Sequence, residues 1–192
     1  MINLPPPTYE QTIEAITHCD IPRANIHIKY QDYLQSDEVT ISDLGPITDA
    51  KLRCLKGAVH PFYILTIENP AQQATFYEFS EREDRPKRKA EAREWLQSKG
   101  LLDRVPTYDP KRGLPDFAIS LEVACGLKPG SVLMADGDWL TVRPNALSAK
   151  SFEKSSETLA CVTRMFAASD ASEKDVKFGF IGNEAVAEKD KK

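Results

Sequence analysis

The chain reads as an α+β protein: an antiparallel sheet with packed helices, forming one compact unit with a smaller C-terminal subdomain and a mobile tail. Three observations predict this. Short segments with an apolar residue at every second position alternate with segments of helical spacing, which assigns strands to the first kind and helices to the second. Capping residues and Gly or Pro punctuation separate the segments. A composition of 41% hydrophobic and 28% charged residues over 192 positions suits a folded chain that buries a core.

Taken in order, Thr8 with Gln11 three residues on is a capping-box pattern, so a first helix runs from Tyr9 to about Cys19 and Pro22 ends it. Asn25 to Gln31 puts Ile26, Ile28 and Tyr30 on one face and His27 and Lys29 on the other, and Glu38 to Asp43 continues the pattern through Val39 and Ile41. The polar link Gln35-Ser36-Asp37 joins these two as an antiparallel hairpin. Gly45-Pro46 is a turn, after which Thr48 caps a helix from Asp49 to Val59 with Leu52, Leu55 and Val59 as its buried stripe. His60-Pro61 stops it, and Phe62 to Ile67, apolar on both faces, suits a central strand. Asn69-Pro70 starts a third helix reaching past Phe79. Pro86 removes a helical hydrogen bond, so Pro86 to Lys99 is predicted as a separate or kinked helix, docked by Trp95 and Leu96 and closed by Gly100.

From Leu101 to Gly113 the chain is rich in proline and charge, which divides it into an N-terminal subdomain over 1–106, a linker over 107–113, a hairpin-plus-helix subdomain over 114–170 and a largely flexible tail over 171–192. Leu114 to Leu127 is read as a helix. Ser131 to Ala135 and Trp139 to Arg143 flank Asp136-Gly137-Asp138, a hairpin signal because glycine accepts the positive φ such turns require. Ser148 caps a last helix through Phe166. No internal repeat is visible in the residues.

Net charge is −4. Residues 1–80 carry 5 Lys/Arg against 10 Asp/Glu, 81–112 carry 10 against 7, and 113–192 carry 10 against 12, so only the middle segment is basic. A duplex-binding protein needs a larger excess, because its affinity comes from neutralising phosphates. The N-terminal residues lack the pattern of a secretory signal, and no apolar run is long enough to cross a bilayer. Cys19, Cys54, Cys125 and Cys161 are widely spaced with no Cys-x-x-Cys pair. They are read as reduced, mostly buried thiols of a cytoplasmic protein. No metal site and no cofactor are expected.

Two groups of residues stand out as candidate sites. The first is Asp136, Asp138, Trp139 and Arg143, where two carboxylates and a guanidinium rim an aromatic ring, the chemistry of a partner-binding anchor. The simpler reading is structural, with Asp138 accepting from turn amides and Trp139 covering the hairpin. The second is Lys87, Arg88 and Lys89 at an expected helix start, where free amides favour anions; the competing reading is solvated charge neutralised by Glu81, Glu83 and Asp84. Pro6-Pro7-Thr8-Tyr9 also fits the Pro-Pro-x-Tyr pattern read by WW domains.

The segment Val132 to Arg143, followed by Leu147-Ser-Ala-Lys-Ser-Phe-Glu153, resembles the PGDYG-motif domain of bacterial and phage proteins. Gly137, Asp138 and Trp139 match the motif, Asp136 stands where the family has proline, and Pro144 to Leu147 shortens its Gly-x-x-Tyr-Pro-Val stretch. The resemblance implies a bacterial or phage accessory setting and no reaction.

For catalysis the sequence offers no nucleophile elbow, Walker loop, His-Glu-x-x-His or dinucleotide fingerprint. His18 and Cys19 are neighbours on a helix and point apart. The expectation is a non-enzymatic protein that binds a protein partner through an acidic and aromatic surface. The alternatives are a nucleic-acid-associated protein using the basic segment 82–112 and an enzyme of unrecognised type.

Overall fold

The computed structural model describes residues 6–143 and 152–180. It is mixed α+β, and the chain divides into two compact units, Met1–Asp84 and Arg85–Lys192. Helix α1 (Tyr9–Thr17) begins with the expected capping box, Thr8 accepting from the Gln11 amide and Gln11 returning to the Thr8 amide. Strands β1 (Ile26–Gln31) and β2 (Ser36–Ile41) form the expected antiparallel hairpin, in register Ile26 to Ile41. Helix α2 (Asp49–Val59) starts at the Thr48 cap and buries Leu52, Leu55 and Val59. Strand β3 (Ile64–Ile67) then pairs parallel to β2 in the order β1-β2-β3. Ile16, Ile21, Ile41, Leu44 and Leu55 lie at the centre of this unit's core.

Helix α3 (Pro70–Ser98) is capped by Asn69, whose side-chain oxygen accepts from the amides of Ala71 and Gln72. It runs unbroken through Pro86, so Pro86 to Lys99 is not a separate helix. The turn before the proline is anchored to α2 by three ion pairs, Arg82–Asp49, Glu83–Arg53 and Asp84–Lys56, and Phe79 lies between the Arg53 and Arg82 guanidinium groups. These contacts offset the hydrogen bond the proline cannot make. Gly100, at φ +67, closes the end through the Leu101 amide on the Leu96 carbonyl.

The second unit contains helix α4 (Gly113–Ala124), hairpin β4 (Leu133–Asp136) and β5 (Trp139–Val142), helix α5 (Phe152–Ala168), and strand β6 (Lys177–Phe180) parallel to β5. Its topology repeats that of the first: helix, antiparallel hairpin, helix, parallel strand. The registers correspond as well. Ile26 pairs with Ile41 and Ile41 with Ile67, as Leu133 pairs with Val142 and Val142 with Phe180.

One disulfide ties the two helices of each repeat, Cys19–Cys54 across 35 residues and Cys125–Cys161 across 36. In both, the first cysteine stands just beyond the first helix and the second lies inside the second helix. The reading of four reduced thiols is therefore corrected.

Three other expectations change. β3 is an edge strand, because its apolar run includes Phe62 and Ile64, both about 40% exposed, and not two buried faces. The boundary expected at 107–113 falls instead at Asp84/Arg85, since the Tyr108 amide donates to Asp170 at 2.8 Å and its ring packs on Phe117 inside the second unit. Residues 171–180 are packed rather than a tail, with Ala171 and Val176 buried and β6 completing the sheet. Pro144 to Leu147, the Ser148 cap and the rest of the expected tail lie outside the described residues.

Candidate functional site

Of the residues picked from the second hairpin, Asp136, Asp138 and Trp139 come together at its turn, whereas Arg143 lies beyond the far end of β5, opposite Val132. Gly137, at φ +58, makes the first central position of a two-residue turn, as a type II′ hairpin requires. Alternation from that turn puts Trp139 and Thr141 on the face opposite the buried Leu140 and Val142. Trp139 is 43% exposed. Its ring lies so close to Gly179 that an added Cβ there would sit 3.0 Å from ring carbon Cζ3. Lys177 stands 5.5 Å from the ring centroid and is held by Asp138 at 2.7 Å. That lysine holds the Asp138 carboxyl below the usual carboxylate range, helped by the aspartate's own amide, and Asp138 in turn raises Lys177.

Arg143 donates its Nε to the Leu133 carbonyl at 3.0 Å, so it ties the hairpin strands together. Asp136 is exposed and pairs in register with Trp139. The hydroxyl of Thr141, 7% exposed, has no hydrogen-bond partner among the described residues.

The repeat shows how this face is specialised. By register, Glu38 occupies in the first sheet the position Trp139 holds in the second, and Thr66 the position of Gly179. Glu38 is nearly buried, accepting from Gln31 at 2.6 Å and from Thr66. The second repeat replaces that closed polar contact with an exposed ring and removes the side chain beneath it.

The basic cluster is arranged differently from the expectation. Lys87, Arg88 and Lys89 lie in the middle of α3, well away from any helix start, so the free amides that favoured an anion are not there. Lys87 faces Glu91 at 4.0 Å and Lys89 binds Glu173 at 2.7 Å. Of the three acids expected to neutralise the cluster, Glu83 and Asp84 bind α2 instead. Arg88 lines an open groove between α3 and α5 together with Arg164, whose guanidinium lies 5.2 Å from the Trp95 ring centroid.

Two features escaped the sequence reading. Glu122 is fully buried on α4, and its carboxylate accepts from the amides of Gly130, Val132 and Leu133, the last two at 2.6 and 2.7 Å. Its position, between Ala118 and Cys125 on the apolar stripe, was the available signal. The second is an aromatic group at the turn end of the first hairpin. Tyr9 donates its hydroxyl to Asp37 and meets Tyr63 edge to face, with Tyr30 paired to Asp37 and Tyr33 on the turn beyond. The Tyr of the Pro-Pro-x-Tyr stretch thus has an internal partner. Among the described residues no group of three or more His, Cys, Asp or Glu is placed to hold a metal ion, and no helix is long and apolar enough to cross a membrane.

No family model, curated protein or solved structure matches the chain.

Proposed function

We propose that the chain is a non-enzymatic binding protein that engages a protein partner through the outer face of β4-β5-β6, with Trp139 as the anchor. The observation that carries this reading is the flat, exposed Trp139 ring over Gly179, edged by the Asp138–Lys177 pair. A large ring held in one orientation loses little conformational freedom on binding, which is why tryptophan is frequent among interface anchors. The resemblance to PGDYG-motif domains places this proposal in a bacterial or phage accessory setting. The expected cytoplasmic location loses its basis in reduced thiols, and the two disulfides favour an oxidising compartment.

The nucleic-acid alternative draws less support. Arg82, Lys87, Lys89 and Arg112 of the basic segment all face carboxylates, which leaves less free charge for phosphates.

Capture of partners from a lysate, with and without nuclease, tests the reading. A protein partner is expected to survive nuclease and to be lost with Trp139→Ala. That variant removes mainly an exposed cation–π contact of roughly 0.5–1 kcal/mol, so the melting temperature should fall by only a few degrees. Gly179→Ala, which displaces the ring, should weaken the same partner. Capture that disappears with nuclease, or is indifferent to both substitutions, rejects the proposal.

A further inference from the structure

We infer that the turn end of the first hairpin is a second binding surface, one that takes an arginine-bearing segment of another protein. The surface is built from four tyrosines and two aspartates. Tyr30 and Asp37 are opposite partners on β1 and β2 and so share one face of the hairpin, Tyr9 reaches Asp37 from α1, and Tyr63, the residue before β3, packs edge to face on Tyr9 with its hydroxyl donating to the Pro7 carbonyl. Tyr33, the most exposed of the large hydrophobic side chains among the described residues at 77%, and Asp32 project from the turn beyond them. Tyr9 and Tyr30 are 43% and 50% exposed. This concentrates aromatic surface where a soluble chain gains nothing by displaying it, the usual mark of a recognition patch.

Charge selects the occupant. The hairpin's lysine, Lys29, alternates onto the other face, opposite Glu38, and the nearby Arg23 is held by Glu10 at 2.8 Å. No described cation therefore balances Asp32 and Asp37 on the tyrosine face. The whole unit is acidic: residues 1–84 carry 6 Lys/Arg against 13 Asp/Glu, a net −7. Tyrosine rings beside carboxylates suit a planar guanidinium, which stacks on the ring and donates in the same plane to the acid. An ammonium group gains the charge attraction without the stacking. The surface lies in the first repeat, so it is independent of the Trp139 face.

The probe is a fluorescently labelled peptide with arginine at alternate positions between glycine and serine, titrated into the full disulfide-bonded chain and read by anisotropy. Expected are saturable binding that weakens with salt, affinity several-fold lower for the lysine version, and none for the glutamate version. Tyr33→Ser, on an exposed turn where folding is unaffected, should weaken binding about fivefold or more, and Asp32→Asn should weaken it and flatten its salt dependence. Glu78→Gln, the same charge change on α3, and Trp139→Ala should leave it unchanged. No binding of the arginine peptide overturns the inference. So does binding that ignores Tyr33→Ser, or that falls as much with Glu78→Gln as with Asp32→Asn, which would mean only general attraction to an acidic unit.

Discussion

A carboxylate shut away from water must find its hydrogen bonds inside the protein, and Glu122 finds three in the amides of the loop that leads into β4. The corresponding position in the first repeat, three residues before Cys19, is Ile16, which fills the same kind of space with carbon. Glu122→Gln puts an amide donor against amide donors, so it should destabilise the second unit by roughly 2–4 kcal/mol, read by denaturant unfolding. The exposed acids give a different signature. Lys177 holds Asp138 low; for Asp170, burial would raise the carboxyl, but Lys174 and the Tyr108 amide outweigh it. A group lowered in the folded state contributes stability above its unfolded value and loses it as pH falls through the folded one. The melting temperature should therefore fall as pH drops from neutral to about 3, with a shallower decline in Asp170→Asn. An unchanged acid limb in that variant would mean its contacts contribute nothing.

Among the elements, α3 and the paired helices carry the departures from simple expectation. A proline inside a helix normally ends it, yet Arg82, Glu83 and Asp84 fasten the preceding turn to α2 while Ala92 and Leu96 bury the following ones. Propensity gave way to packing on either side. Each disulfide clamps a helix pair by closing a loop of about 35 residues, a constraint worth roughly 4 kcal/mol in the chain-entropy account. Reduction should lower the melting temperature substantially. Each bridge has one buried cysteine, but the other member is exposed in the first, Cys54, and only half-exposed in the second, Cys125, so Cys19–Cys54 should open first under mild reductant, as followed by alkylation and mass spectrometry. Simultaneous opening of both would show that exposure does not control access.

For the whole molecule, the feature that organises everything else is the repeat: two helix–hairpin–helix–strand units of the same register, each with one disulfide, differing in what they display. The first is acidic and shows tyrosines at its hairpin end; the second shows Trp139 on its sheet. Much of this was readable from residues alone. Thr8, Thr48 and Asn69 marked three helix starts, the alternation of Ile26, Ile28, Val39 and Ile41 marked a hairpin, and Gly137 marked a turn, because caps, periodicity and positive φ act over a few residues. Trp139 and its acidic neighbours were likewise found by type, and the turn that gathers them is local. What the sequence could not decide was anything made between distant segments. The cysteine pairing, the edge position of β3, the lysine from β6 beside Trp139, the three amides on Glu122 and the repeat itself depend on which elements pack together. Those choices are set by the summed burial and register of many side chains, so no single short stretch of residues carries them.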